Sequence, residues 1–379
     1  MAKAKYTKNS RGEYATRAWD GTYNPDGTKH RVNLKSHKSS ADLERKVNAL
    51  KQKVESGNYV VPTDKFFGEY ANEWLTVRKS SRGINTRTMY KNIIDKHLAF
   101  LDTVSLCDIR NSHFQTAINN ALDKPRTCQQ IYITFKQIIR MAVTDSYITE
   151  EMAKNITMDI SLPKYEKTEK RPLSEVEKAT LKDCLDSNIF TSREKAYLLI
   201  IYSTGLRRCE ALALTAFDFS FSDSGNSVSI TKDLIFEGNN PEIRMMTKTS
   251  NGLRSVPLPA DVAAWLKEYI TELSGTNLFS CATSSLITKS SYDKMWASII
   301  RKMNTAAGGS SAFPVIDDLT AHIFRHNYCT NLCYQVPAIS IKKIAQLLGD
   351  TERVVIDVYN HIIEEKEDVS GVINDLFAM

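Results

Sequence analysis

The segment Thr204–Glu210 places an arginine at the start of a predicted helix, with a carboxylate one turn later. Arg207 and Glu210 are three residues apart, so both side chains lie on one helix face, where the carboxylate can fix the guanidinium. A fixed guanidinium binds phosphate or carboxylate oxygens through paired hydrogen bonds. Structural ion pairs use the same spacing, so the pair indicates an anion site only together with other motifs.

Two further cationic patterns lie downstream. Lys248 is predicted to end a strand just before a hairpin turn at Asn251-Gly252, where a flexible ammonium can reach over a bound ligand. In the segment His322–His326, helical spacing puts His322 and Arg325 on one face. Each pattern is weak evidence alone, because short motifs of common residues arise by chance.

The same histidines suggest a rival interpretation. His322, His326, Cys329 and Cys333 form one helical stripe of residue types that bind zinc. A straight helix cannot bring all four onto one ion, since the ends of the stripe lie about 16 Å apart at a rise of 1.5 Å per residue. The stripe is better interpreted as a half-buried packing face, and we predict no metal site.

The last motif is Leu347-Leu348-Gly349-Asp350, followed nine residues later by Tyr359. A single tyrosine among sixteen is usually a packing residue. Tyr359, however, is flanked by Asp357 and Asn360, which indicates a position outside the deep core.

Taken in order, these motifs resemble those of the tyrosine recombinases, the phage-integrase family: Gly-Leu-Arg-x-x-Glu, a hairpin lysine, His-x-x-Arg-His, Leu-Leu-Gly and Tyr-x-His. At this length, with three parts, the chain is most similar to integrases of conjugative transposons. The resemblance implies a site-specific recombinase that excises and integrates a mobile element. Such an enzyme cleaves and rejoins DNA through a 3′-phosphotyrosine, which conserves the bond energy, so no cofactor is expected.

The resemblance also implies a role for each matched residue. Arg207 and Arg325 would clamp the scissile phosphate, whose transition state carries extra negative charge. Lys248 would protonate the departing 5′-hydroxyl. His322 would donate to a phosphate oxygen or help move the nucleophile's proton, and Tyr359 would attack phosphorus.

One position departs from the family pattern. The residue after Leu-Leu-Gly is usually His or Trp beside the phosphate, and here it is Asp350. A carboxylate there is unfavourable unless it is protonated, paired or turned away. We therefore assign Asp350 no direct phosphate role, and expect His326 or His361 to replace the missing donor or to be oriented by Asp350. Glu210 would orient the Arg207 guanidinium without contacting the phosphate itself.

Composition limits the class of protein. The 379 residues are 42% hydrophobic and 25% charged, typical of globular proteins, and the longest apolar run, Ala196–Tyr202, is far too short to span a membrane. Seven scattered cysteines and the absence of a secretory pattern predict a reduced, soluble protein, cytoplasmic and nucleoid-associated in a bacterium.

Charge is unevenly distributed and favours a polyanionic partner. Residues 1–60 hold 13 Lys and Arg against 6 Asp and Glu, a net +7, whereas residues 171–379 carry a net −4. A basic front half is typical of nucleic-acid binding, although a solvated lysine-rich tail is equally compatible with it. In the acidic half, phosphate contacts must come from a few placed residues.

We predict a multidomain, mainly α protein with small β-sheets, divided into three parts. Residues 1–60 form an α+β module like an arm-binding domain, residues 61–163 a helical core-binding domain, and residues 164–379 a mixed α/β catalytic domain. Basic and polar residues of the first two parts are the candidate DNA contacts: Arg17, Lys29, Arg31, Lys35, Arg82, Thr86 and Arg87.

The expected partners are double-stranded DNA at the element ends and target, further copies of this chain in a tetramer on DNA, and an excisionase-like accessory protein. The apolar stripe within residues 362–379 would pack on a neighbouring copy or fold back on its own domain. Two alternatives stay open: a topoisomerase-like enzyme that reseals the same strand, and a DNA-binding regulator that has lost catalysis.

Overall fold

The structure, a computed structural model, describes residues 4–23, 26–56, 65–166, 171–245, 252–282 and 285–366, without the side chains of residue 361 and residues 363–366. The chain divides into two compact units, residues 1–167 and residues 168–379. Lys248, Asn251 and most of the C-terminal segment 362–379 therefore lie outside the described residues.

The first unit begins with an antiparallel ribbon of β1 (Tyr14–Tyr23) and β2 (Lys29–Ser36), followed by helix α1 (Ser40–Glu55). Even-numbered side chains of both strands are half-buried or buried, and α1 packs against the strands through its buried apolar face. The Ser39 hydroxyl caps the helix by accepting a hydrogen bond from the Asp42 N–H. The predicted order of strand, strand and helix is confirmed.

The rest of the first unit is helical, as the apolar stripes predict. Its α-helices are α2 (Phe67–Lys79), α3 (Ile84–Asn92), α4 (Asn111–Asn119), α5 (Pro125–Thr144) and α6 (Glu150–Thr157). A π-helical turn and two 3₁₀ turns connect α3 to α4. Aromatic side chains fill the core, and the rings of Phe114 and Phe135 stack with centroids 4.2 Å apart.

The second unit is mostly helical around two small antiparallel sheets. Its α-helices are α7 (Glu175–Asp186), α8 (Ser192–Thr204), α9 (Arg208–Leu212), α10 (Ala260–Thr271), α11 (Lys289–Ala306), α12 (Ala321–Cys333), α13 (Ile341–Leu348) and α14 (Glu352–Lys366). Its strands are β3 (Phe219–Ser220), β4 (Asn226–Ile230), β5 (Lys232–Glu237), β6 (Asn240–Met245) and β7 (Arg254–Leu258).

Strand pairing in this unit differs from the prediction. We expected a strand at residues 243–248 to pair through Asn251-Gly252 with residues 253–257. Instead β6 pairs with β5, a strand that was not predicted, and β7 pairs with β4 in the order β3-β4-β7. The pairing of Val228 with Val256 buries both side chains completely, and this burial of apolar surface stabilises the observed arrangement.

Helix α12 joins two apolar clusters of the second unit. Its Phe324 belongs to the main core with α8, whereas Cys329 and Cys333 belong to a smaller cluster with α13 and α14. Residues in the middle of α12 are therefore held from both sides. In the described part of the chain, no helix has the length and apolarity needed to cross a membrane.

Candidate active site

The turn between α8 and α9 fixes the first arginine. Gly205 ends α8 with a left-handed backbone (φ +61°), and a Cβ there would lie 2.4 Å from the Tyr328 ring. The chain then enters α9, where a Glu210 carboxylate oxygen accepts the Arg207 backbone N–H at 2.9 Å and the other accepts Arg207 Nη1 at 2.9 Å. The predicted Arg–Glu contact is thus present, and it orients the guanidinium.

Arg325 lies in the middle of α12 with only 5% of its side chain exposed. Its Nη1 donates to the Gly205 carbonyl at 3.0 Å, and its Nη2 donates to the Leu348 carbonyl at 2.7 Å. The guanidinium therefore connects the end of α8 to the end of α13. Few rotamers satisfy both carbonyls, so the charge is held at a defined point.

Asp350 brings the two arginines together. Helix α13 ends at Gly349, also left-handed (φ +63°), and the Gly349 carbonyl accepts Arg207 Nη2 at 2.9 Å. The next side chain, Asp350, places Oδ2 3.0 Å from Arg207 Nη2 and 2.8 Å from Arg325 Nη2. Two guanidinium groups from distant parts of the chain thus share one carboxylate oxygen, and the site can bind a small anion.

Arg254, at the start of β7, also belongs to the site, although no sequence motif indicated it. Its side chain is 5% exposed, and its Nη2 and Nη1 donate to the two carboxylate oxygens of Glu210 at 2.7 and 3.2 Å. Its Nε donates to the Leu347 carbonyl at 2.8 Å. The alternation of side chains along a strand could have predicted its burial, because it puts Arg254 on the same inward face as Val256 and Leu258.

The electrostatics of this cluster favour bound anions. Burial lowers the pKa of Arg325, the nearby charge of Arg207 lowers it further, and Asp350 opposes both effects. Burial raises the pKa of the Asp350 and Glu210 carboxyls, but arginine hydrogen bonds and charges outweigh it, so both pKa values lie below normal. Both carboxylates are therefore ionised at neutral pH.

The two histidines of α12 differ in exposure. His322 is exposed and His326 is buried, and their rings meet edge to face with centroids 4.6 Å apart. His322 is thus the one that an incoming ligand can reach. The two cysteines of the stripe that was considered for zinc, Cys329 and Cys333, pack in the small apolar cluster with α13 and α14. Among the described residues, no group of three or more His, Cys, Asp or Glu side chains could hold a metal ion.

Tyr359 lies on α14, half-buried against the apolar cluster formed with α12 and α13. It is therefore outside the deep core, as we predicted. Its helix begins at Glu352, so a single residue separates the start of α14 from Asp350. The side chain of His361 and the whole of Lys248 lie outside the described residues.

The candidate DNA contacts of the first unit are all exposed. Odd-numbered positions of the ribbon put Arg17, Lys29, Arg31 and Lys35 on the face opposite α1. Arg17 Nε donates across the ribbon to Asn33, and the Lys29 ammonium lies 4.6 Å from the centre of the Trp19 ring. Arg82, Thr86 and Arg87 are exposed around the N-terminal end of α3.

Two family profiles match this chain. The Phage integrase family matches residues 172–366, just over half of the chain. The N-terminal SAM-like domain of phage integrases matches residues 66–122, which include α2 to α4.

Curated relatives are similar over most of their length. A tyrosine recombinase XerC-like protein of Caldanaerobacter subterraneus subsp. tengcongensis is 23% identical over 373 residues, covering 90% of each chain. A tyrosine recombinase XerD of Chlorobaculum tepidum is 24% identical over 305 residues, covering 76% of this chain and 89% of the relative.

Solved structures share the fold. A fragment of the Tn1549 transposon integrase in complex with circular intermediate DNA superposes with a TM-score of 0.63 at 17% identity, covering 78% of this chain and 95% of that one. A lambda integrase tetramer bound to a Holliday junction gives a TM-score of 0.54 at 17% identity, covering 91% of each chain.

Proposed function

The chain belongs to the phage integrase family, and from that membership we propose how its own residues carry out the chemistry. It is a tyrosine recombinase, an enzyme that cleaves and rejoins DNA in site-specific recombination. In our assignment Arg207 and Arg325 bind the scissile phosphate and Tyr359 attacks it. The strand is then held as a 3′-phosphotyrosine until a 5′-hydroxyl displaces the tyrosine.

The observation that carries this assignment is the convergence of two guanidinium groups on one point. Arg207 Nη2 and Arg325 Nη2 both lie within 3.0 Å of a single anionic oxygen. A non-bridging phosphate oxygen at that point would receive two charged hydrogen bonds, which strengthen as negative charge develops in the transition state. Because Glu210 and backbone carbonyls already hold both guanidiniums, the two arginines need little rearrangement of their own when phosphate binds.

We assign the roles of the remaining site residues from their exposure, their position in the chain and the chemistry of their side chains. His322 is exposed one helical turn before Arg325, so it can donate to a second phosphate oxygen or move the tyrosine proton. Lys248 belongs to the segment between β6 and β7, and we assign it the protonation of the departing 5′-hydroxyl. His326 and His361 are assigned supporting roles. A covalent phosphotyrosine conserves the bond energy of the cut strand, so the chemistry calls for no cofactor.

The first unit is proposed to bind DNA through two separate surfaces. The basic face of the β1–β2 ribbon would contact one set of sites, and the exposed Arg82, Thr86 and Arg87 near α3 would contact the backbone at the core site. We keep the boundaries 1–60, 61–163 and 164–379 for the arm-binding, core-binding and catalytic parts.

We also propose a biological setting. The Tn1549 integrase is a transposon enzyme, and the similarity to it supports the excision and integration of a conjugative transposon by this chain. The lambda integrase tetramer on a Holliday junction supports a tetramer on DNA. We further propose that the protein acts in the bacterial cytoplasm on the nucleoid and that an excisionase-like protein controls direction.

The test is covalent trapping on a nicked duplex that carries the end sequence of the DNA element encoding the protein. We expect the intact protein to form a protein–DNA adduct that survives denaturation, forms in EDTA without ATP, and is absent with Tyr359→Phe. Tyr334→Phe, at the exposed end of α12, is the matched control and should keep the adduct. An adduct that persists in Tyr359→Phe would overturn the assignment of the nucleophile.

A further inference from the structure

The carboxylate of Asp350 occupies the point at which the two arginines would meet a phosphate. Its Oδ2 accepts Arg207 Nη2 at 3.0 Å and Arg325 Nη2 at 2.8 Å. Each guanidinium is also held by other groups, Arg207 by Glu210 and the Gly349 carbonyl, and Arg325 by two carbonyls. The arginines are thus fixed independently, and Asp350 fills the space that remains between them.

A carboxylate and a phosphodiester present the same features to this space. Each carries one negative charge spread over two oxygens, and each accepts charged hydrogen bonds from guanidinium in similar geometry. Both anions cannot stay, because two like charges a few ångströms apart in a partly buried site repel strongly. A phosphate that binds Arg207 and Arg325 must therefore displace the Asp350 side chain.

The local fold allows this displacement. Asp350 is 26% exposed, in contrast to Arg325 at 5%, and it belongs to the short connection between α13 and α14 rather than to a helix. Asp350 helps to line an open cleft of about 740 Å³, which is also lined by Lys342, Lys343 and Glu352. A carboxylate that rotates away from the arginines into this cleft would keep solvent contact, and the cleft contains two lysines against one other carboxylate, Glu352.

We propose that Asp350 is an internal substitute for the scissile phosphate: without DNA it neutralises and aligns Arg207 and Arg325, and bound DNA must expel it before cleavage. The inference rests on the proposed function, in which these arginines clamp the phosphate. Asp350 then opposes cleavage at sites that bind too weakly to displace it.

The first experiment needs neither DNA nor catalysis. The melting temperature of the full chain is measured against rising inorganic phosphate, with sodium chloride at matched ionic strength as the reference. Asp350→Asn removes the anion that Arg207 and Arg325 share, so we expect phosphate to raise its melting temperature clearly more than that of the native protein. Glu352→Gln removes the same charge from an exposed position two residues away and should respond like the native protein.

The second experiment measures single-turnover adduct formation on the nicked duplex. We expect Asp350→Asn to form the adduct about tenfold faster at subsaturating DNA, equivalent to about 1.4 kcal/mol, since it loses a charged interaction that competes with the phosphate. Asp350→His is the second variant, should Asn fold poorly, and is expected to change the rate in the same direction.

The outcomes separate the two proposals. Equal phosphate responses in Asp350→Asn and native protein, or adduct formation no faster than native in a variant that melts normally, would overturn the role of Asp350. If no variant forms an adduct, the recombinase assignment of residues fails, while the phosphate titration still decides whether Asp350 occupies an anion site.

Discussion

Three arginines and two carboxylates form one network at the ends of α8, α13 and β7. Arg254 and Glu210 are almost fully buried, whereas Arg207 retains 41% exposure. The exposed guanidinium is the one that can meet substrate first, and the buried pair behind it supplies rigidity. With Asp350 ionised the network carries one net positive charge, and expulsion of Asp350 would leave two for the phosphate.

Removal of the Glu210 charge tests this support. Glu210→Gln should slow adduct formation about 10- to 100-fold, because charged hydrogen bonds that hold Arg207 and Arg254 are weakened by about 1.5–3 kcal/mol. DNA affinity should change much less, since the proposed DNA contacts of the first unit are left intact. Single-turnover rates and binding isotherms measure the two effects.

Glu237→Gln, at the exposed end of β5, is the control for a lost carboxylate and should keep the native rate. A folded Glu210→Gln protein that cleaves as fast as the native enzyme would refute the positioning role.

For individual residues, sequence spacing predicts contacts between neighbours in the chain better than contacts between distant positions. Arg207 and Glu210 are one helical turn apart, so their contact follows from spacing. The contact of Arg207 with Asp350 joins positions 143 residues apart, and no periodicity indicates it. Arg254 was missed for the same reason, since its partner lies in α9 and only the strand alternation hinted at burial.

The elements of the catalytic unit depend on a tight turn at Gly205. A Cβ at this position would lie 2.4 Å from the Tyr328 ring, whereas at Gly238, with the same φ of +61°, it would meet nothing within 4 Å. Gly238→Ala should therefore cost about 1–2 kcal/mol of unfolding free energy from backbone strain alone. Gly205→Ala should cost clearly more and also slow adduct formation, because the turn positions Arg207 and the carbonyl that holds Arg325.

Urea unfolding of both glycine variants, with adduct rates measured alongside, makes the comparison. Equal destabilisation and equal rates would show that the Gly205 contact with α12 does not position the site.

Three successive helices begin with the same device. At α7, α8 and α9 a buried glutamate accepts a backbone N–H from the residue three positions before it, and a cation from outside the helix pairs with it. The glutamates are Glu177, Glu194 and Glu210, and the cations are Arg171, Lys302 and Arg254. The starts of α7 and α8 follow the Ser/Thr-x-x-Glu capping spacing, whereas α9 has Arg207 in that first position, and no spacing of this kind indicates the paired cations.

This device predicts acid sensitivity. Burial raises the pKa of Glu177, but hydrogen bonds from Arg171 and Ser174 outweigh it, so the folded pKa lies below the ordinary value of 4.5. Its stabilising contribution is thus complete above pH 4.5 and is lost as the pH falls through the folded pKa. Glu177→Gln should lower the unfolding free energy at pH 7 and flatten its decline below pH 4.5.

The control is Glu175→Gln on the same helix, where the carboxylate is 89% exposed. Urea unfolding from pH 7 into acid should show the native slope for this variant. Identical slopes for both variants would contradict the acid sensitivity assigned to Glu177.

For the whole molecule, sequence patterns predicted the classes of element but not all of their partners. The helical first unit followed from apolar stripes, since each stripe needs a neighbour to cover it. The pairing of β7 with β4 did not follow, because a long-range ladder depends on which faces become buried together. Net charge also differs along the chain: residues 1–60 carry +7, whereas residues 171–379 carry −4. Because the second part is acidic overall, we expect it to bind phosphate through a few individual arginines and not through its overall charge.

The most direct test of the account is to identify the residue that carries DNA in the trapped adduct. After nuclease and trypsin digestion, mass spectrometry should find the nucleotide on the peptide Val354–Lys366, in which Tyr359 is the single tyrosine. A nucleotide on His326–Lys342, which contains Tyr328 and Tyr334, or on any other peptide, would contradict the assignment of Tyr359 as nucleophile.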